Sequence, residues 1–217
     1  MKKILLAIPV ILLAFSSCLG LSADFQMRKN GSGKLTTEYR FPRTAENIGR
    51  LDGNERWQII PVGRADWERT AARIDGIKLS SFSSRNDSKD VVNKVTIEFS
   101  NTDALLKFLN PSPGGKRASL NRGSGSSSLN IIFTEPAASE INADLLALMQ
   151  QVSYGYKLKL TFSAEKNSSL SFTDGSGKLI PPPENAEVVL QGKKVSFSID
   201  TAELISFTDG LGIEISW

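Results

Sequence analysis

The sequence predicts an α+β fold: a mostly antiparallel sheet with helices packed on one face. Polar and apolar residues alternate over several segments, such as 19–28 and 156–162, as they do in a strand with one buried face. Other segments, above all 139–152, place apolar residues at helical spacing. Strands that alternate, rather than being apolar throughout, favour antiparallel pairing with one face partly wet.

The first residues of the sequence have the pattern of a targeting signal. Lysines at positions 2 and 3 precede an apolar run over 4–15, and Ser16 and Ser17 then lead to the only cysteine, Cys18. This order is typical of a secretory signal peptide, here residues 1–17. A helix of the run's 12 residues spans about 18 Å, short of the roughly 30 Å hydrocarbon core. We therefore expect the run not to remain as a transmembrane helix.

The residues Phe15-Ser16-Ser17-Cys18 resemble a bacterial lipobox of the relaxed kind found in spirochaete lipoproteins. The resemblance implies cleavage before Cys18, a thioether-linked diacylglycerol there, and further acylation, with chains such as palmitate. Several acyl chains give lasting attachment, because each buried methylene contributes about 0.8 kcal/mol. Leu19 follows the cysteine in place of Asp, so the family rule favours the outer membrane over the inner one. The alternative is an incidental thiol near an ordinary cleavage site.

Composition limits the partners of the mature chain. Removing Lys2 and Lys3 from the 26 basic residues leaves 24 against 23 acidic ones, so the pI gives no support to nucleic-acid binding. With Cys18 lipidated, no thiol remains for a disulfide or a cysteine-based metal site. We expect a single domain over 18–217, attached to the membrane through acyl chains and needing no cofactor.

The first half of this domain is predicted to open with a hairpin. Strands over 19–28 and 34–41 flank the turn Asn30-Gly31-Ser32-Gly33. Later elements are read from periodicity and breakers: they are short helices at 44–48 and 65–74, strands at 77–83 and 91–99, and a helix at 101–109 capped by Ser100 or Asn101.

The second half continues the strand–helix alternation. It is predicted to contain strands at 116–121 and 129–133, a helix at 139–152, strands at 156–162, 195–199 and 211–217, and a short helix at 201–206.

The sequence has no catalytic signature. It contains no histidine, which removes the Ser-His-Asp arrangement and most zinc and haem sites. Two Gly-Ser-Gly-Lys segments, 31–34 and 175–178, lack the first Gly and the final Ser or Thr of a phosphate loop, so they are predicted to be hairpin turns. Asp174 and Asp209 lie in loops without the ligand spacing of an EF-hand. We expect neither enzymatic activity nor a metal site.

The segment Val95–Phe108, together with the early hairpin and middle strands, resembles the mycobacterial LppM-type lipoproteins. That resemblance implies an α+β domain with a hydrophobic pocket for lipid-like molecules.

A site for a lipid-like or apolar ligand is predicted between the 139–152 helix and the sheet. Leu145 and Met149 lie in the apolar stripe of the helix, and Leu158, Leu160 and Phe162 alternate along the next strand. Met adapts to irregular contents, which suits a pocket. The same stripe also suits ordinary core packing. The alternative function is a non-enzymatic envelope protein that binds another protein, through an exposed apolar patch or a free sheet edge.

Overall fold

The strands of this protein form two sheets. The computed structural model describes residues 20–43, 63–110, 117–123, 126–136 and 143–217, and within these ranges it has twelve strands and four helices. The predicted α+β class is confirmed, as is the mostly antiparallel pairing. The division into two sheets was not predicted. The signal peptide at 1–17 and the anchor Cys18 lie outside the described residues.

The larger sheet has seven strands, and only one neighbouring pair in it is parallel, β1 with β7. In spatial order it consists of β10 (Glu187–Gln191), β11 (Lys194–Asp200), β7 (Lys157–Ser163), β1 (Gly20–Met27), β2 (Gly33–Pro42), β4 (Asp90–Phe99) and β3 (Ile77–Asn86).

The smaller sheet has five strands, all of them paired antiparallel. In spatial order it consists of β5 (Ala118–Arg122), β6 (Ser127–Thr134), β12 (Leu211–Ser216), β8 (Ser169–Thr173) and β9 (Leu179–Ile180). Three of these strands were predicted. The other two, β8 and β9, form the hairpin whose turn holds the second Gly-Ser-Gly-Lys segment.

The helices are α1 (Arg64–Ala72), α2 (Thr102–Leu109), α3 (Ala143–Ser153) and α4 (Thr201–Leu204). Each falls where periodicity predicted a helix, and the predicted helix at 44–48 lies outside the described residues. Asn101 caps α2, because its side-chain Oδ1 accepts a hydrogen bond from the Ala104 N–H at 2.9 Å. Within the described ranges, every helix is too short or too polar to span a lipid bilayer.

The opening hairpin is confirmed. Its strands β1 and β2 pair with Phe25 beside Leu35, and Gly31 in the turn has a φ of 80°, a conformation that favours glycine. Asn30 holds the turn, since its Oδ1 accepts a hydrogen bond from the Ser32 N–H at 3.1 Å.

One face of the larger sheet supports the whole core. Over β7 and β11 this face packs on the smaller sheet, with the rings of Phe162 and Trp217 4.8 Å apart and those of Phe172 and Phe197 5.4 Å apart. Over β2 and β4 the same face packs under α1 and α2, through Trp67 and Phe108. The buried residues of both regions form one cluster.

Candidate functional site

The part of the chain that the structure describes begins close to the predicted anchor. Strand β1 starts at Gly20, two residues after Cys18 in the sequence. Gly20 is buried, and a Cβ added to it would lie 3.2 Å from the ring of Tyr156. Gly20, the first residue that the structure describes, therefore belongs to the packed sheet.

The end of α3 lies at the same end of the sheet as the start of β1. Strands β1 and β7 run parallel, with Leu21 beside Leu158, so both begin at one end. Only Tyr154, Gly155 and Tyr156 separate the end of α3 from β7. The C-terminal turn of α3 is thus close to the point from which the chain leads back to Cys18.

Helix α3 leaves apolar side chains in contact with solvent. Leu148 is 55% exposed, Tyr154 just beyond the helix is 85% exposed, and Leu146 and Met149 are half-buried. The Ser153 hydroxyl is buried and donates a hydrogen bond to the Met149 carbonyl at 2.6 Å. The side chain of Leu145, a predicted ligand contact, lies outside the described part of the chain.

The expected neighbour of this helix was the strand that follows it. The structure instead packs α3 mainly against α4, the short helix at the end of β11. The periodicity of α3 predicted correctly that the segment is helical, but periodicity does not determine which element meets its apolar side.

The predicted strand residues Leu158, Leu160 and Phe162 are brought into one row on β7. All three are buried, with 5%, 2% and 0% of their surface exposed. Phe162 packs on Trp217 of the smaller sheet, and Leu160 lies beside Phe197, whose ring is 5.8 Å from that of Phe133. In this structure these side chains contact the second sheet, and their role towards a ligand stays a prediction.

A buried polar cluster, which sequence reasoning missed, lies under α1. The Trp67 Nε1–H and the Asn93 Nδ2–H both donate hydrogen bonds to the Tyr39 hydroxyl oxygen, each at 3.1 Å. Burial raises the pKa of the Tyr39 phenol, and the two hydrogen bonds oppose that rise. The available signal was Asn93, a polar residue at an inward position between Val91 and Val95. The cluster joins a helix to the sheet.

A shallow depression of about 380 Å³ lies at the opposite end of the sheet from Gly20. It lies between the first hairpin turn, the start of β3 and the end of β4. Its lining includes the charged residues Arg28, Lys78 and Glu98. Hydrogen bonding and charge from Lys34, whose Nζ is 3.0 Å away, lower the pKa of Glu98. This depression is charged, unlike the apolar site that the sequence predicts.

The loop of Asp174 is a structural turn. One carboxylate oxygen of Asp174 accepts hydrogen bonds from the Ser176 N–H, the Ser176 hydroxyl and the Lys178 N–H, at 2.8, 2.6 and 3.0 Å. These bonds lower the pKa of Asp174. Across the residues that the structure describes, no group of three or more acidic side chains is placed to hold a metal ion.

Comparison with known proteins gives little further information. No protein-family model matches the chain, and no curated protein matches it. A similar solved structure is the NMR structure of the folded domain of LppM from Mycobacterium tuberculosis, with a TM-score of 0.47 and 8% identity over 92% of this chain and 88% of that chain. LppM gives its name to the family that the sequence resembles. A likeness at this level says nothing about ligand or mechanism.

Proposed function

We propose that this protein is an envelope lipoprotein, anchored through acyl chains on Cys18, whose domain binds a lipid-like ligand without catalysis. The anchor is supported by the lone cysteine after a lysine-led apolar run. The outer membrane is favoured over the inner one because Leu19 follows the cysteine. The absence of histidine from the sequence supports a non-enzymatic role.

The observation that carries the proposal is the position of α3. Two residues extend the chain by about 7 Å at most, so an anchor at Cys18 holds the start of β1 at the membrane surface. The parallel pairing of β1 with β7 then places the end of α3 at this same end of the sheet. The exposed Leu148 and Tyr154 are therefore within reach of lipid.

The ligand class follows from these side chains. Full burial of a Leu or Met side chain contributes about 1.5–3 kcal/mol, and α3 leaves Leu148 exposed and Met149 half-buried. An acyl chain lying along α3 buries both. In this proposal Leu145 and Met149 contact the ligand, whereas Leu158, Leu160 and Phe162 lie buried in the core and support the end of the sheet next to α3.

The anchor is tested by mass spectrometry of the mature protein from its native membrane. We expect the N-terminal residue to be Cys18 carrying acyl chains, and a Cys18→Ser chain to be lost from the membrane fraction. An unmodified N-terminus at another residue contradicts the anchor.

The ligand is tested on the whole chain carrying Cys18→Ser, so that no covalent lipid contributes. A pyrene-labelled fatty acid is titrated and its fluorescence followed. Leu148→Asp should weaken binding about tenfold, equivalent to about 1.4 kcal/mol. The matched control is Leu179→Asp on β9, where the leucine is 64% exposed, and this change should leave binding unaltered. Absence of binding, or equal loss in both variants, contradicts the ligand proposal.

The second candidate function, binding of another protein, is favoured by a different observation. Strand β10 is an edge of the larger sheet, and all five of its residues are exposed. An edge of this kind offers unpaired backbone groups to a partner strand.

A further inference from the structure

Strand β10 is an edge that lacks the usual protection. Its sequence is Glu-Val-Val-Leu-Gln, and the three central side chains, Val188, Val189 and Leu190, are 36%, 47% and 56% exposed. Natural edge strands usually carry charges, prolines or bulges, which prevent pairing with another chain. Within β10 only Glu187 is charged, and Lys157 pairs with it at 3.6 Å.

The other edge of the same sheet shows such protection. Strand β3 has an irregularity in its pairing between Leu79 and Ser81, and it carries four serines and Arg85 along its length. Helix α1 also packs against it. The two edges belong to one sheet, yet only β10 combines exposure with a continuous apolar run.

The hairpin geometry determines which backbone groups of β10 point away from the sheet. Gln191 and Lys194 close a two-residue turn at Gly192 and Lys193, so that they form a hydrogen-bonded pair. Hydrogen-bonded and non-bonded pairs alternate along an antiparallel ladder. The N–H and C=O groups of Val189 thus face β11, and those of Val188 and Leu190 face outward.

We propose that β10 pairs with β10 of a second copy of this chain, antiparallel and centred on Val189. This goes beyond the proposed function, since it needs neither lipid nor anchor. In this register Val188 of each copy lies opposite Leu190 of the other, and their outward backbone groups can form four hydrogen bonds. The result is one sheet of fourteen strands, twice the seven present in each copy.

The sequence of β10 is self-complementary, which favours a second copy of this chain as its partner. Centred on Val189, the antiparallel register places Glu187 opposite Gln191, so no like charges meet. Beyond the paired segment, the acidic Glu184 of each copy lies towards the basic Lys193 turn of the other. Val188 and Leu190 alternate onto the core face, beside Phe197 and Val195, so pairing extends the apolar layer of the core.

The symmetry of this dimer is compatible with anchorage of both copies in one bilayer, if the proposed anchor at Cys18 is present. The two-fold axis of an antiparallel strand pair is perpendicular to the sheet. Both copies therefore present the same face to a membrane, and the face opposite the core carries the exposed Lys94, Lys159 and Lys194.

The test places a cysteine at the centre of the predicted pair. In the whole chain carrying Cys18→Ser, Val189→Cys becomes the only thiol, and the two Cα atoms lie about 4.5 Å apart in a non-bonded pair. A disulfide accepts about 4.4–6.8 Å. Mild oxidation should convert most of this variant to a covalent dimer. The matched control is Ser84→Cys, an exposed position on the β3 edge, which should remain monomeric.

Sedimentation equilibrium of the chain without added cysteines gives the second readout. Val189→Lys should weaken self-association at least about tenfold, because it places two like charges opposite each other, whereas Val189→Thr should retain it. Equal cross-linking at both cysteine positions, a monomer at all concentrations, or cross-linking of Val189→Cys to a different envelope protein in cells overturns the proposal. A dimer formed by a chain that has lost its membrane attachment supports it, even where the anchor or ligand proposal fails.

Discussion

The two halves of the larger sheet bury the same kind of surface in different ways. Strands β7 and β11 pack on the smaller sheet through apolar side chains, among them Phe197, whose ring lies 5.8 Å from that of Phe133 and 5.4 Å from that of Phe172. Strands β2 and β4 pack under helices, and at their centre the Tyr39 hydroxyl accepts hydrogen bonds from Trp67 and Asn93. The row of β7 and β11 that faces the other sheet carries apolar side chains such as Leu160 and Phe197, whereas the row that faces the helices holds the hydrogen-bonded Tyr39 hydroxyl.

The difference predicts two kinds of sensitivity. The sheet-covered half depends on apolar volume, because its contacts are made by buried apolar side chains whose removal leaves a cavity. The helix-covered half depends in addition on hydrogen-bond partners, because a buried donor that loses its acceptor bears the full cost of desolvation.

The largest expected effect is in the sheet-covered half. Phe197 is 1% exposed and contacts two rings of the other sheet. Phe197→Ala should lower the free energy of unfolding by about 3–5 kcal/mol, measured by urea denaturation with an unchanged m-value. Leu179→Ala, at an exposed position, should change it by no more than about 0.5 kcal/mol. A loss below about 1 kcal/mol at Phe197 would show that the two sheets do not pack as described.

A smaller loss of stability is expected when a hydrogen-bond acceptor is removed from the helix-covered half. Tyr39→Phe keeps the ring but removes the acceptor of two buried donors, so it should cost about 1–3 kcal/mol. Tyr156→Phe is the matched control, since its hydroxyl bonds to Asp90 at 2.8 Å in a partly exposed position. We expect the control to lose less stability in the same urea measurement. Equal losses would remove the contrast between the two halves.

The smallest effect is a pH dependence confined to the helix-covered half. Burial raises the pKa of Tyr39 above its ordinary value of 10.0, so the folded state keeps this proton to higher pH than the unfolded chain does. The stability linked to it is fully present below about pH 10 and is lost as pH rises through the folded pKa. The stability advantage of wild type over Tyr39→Phe should therefore shrink as the pH rises above about 10. A constant difference would contradict this linkage.

Several elements followed from the sequence because their causes are local. The first hairpin is specified by alternation on both sides of Asn30-Gly31-Ser32-Gly33, and α2 by an apolar stripe after Asn101. Strand β10 was missed, since three apolar residues in succession do not alternate. Strand β8, Ser169–Thr173, was missed, although the segment 175–178 that follows it was predicted to be a hairpin turn.

For the candidate site too, some features followed from the sequence and others only from the structure. The sequence by itself determined the single cysteine, the absence of histidine, and the apolar character of 143–153 and of the β7 strand. Only the tertiary structure decided that Leu158, Leu160 and Phe162 face a second sheet, that α3 packs mainly against α4, and that β10 is an edge. The physical reason is that periodicity shows which face of a helix or strand is buried. Which element packs on that face depends on residues that are distant in the sequence.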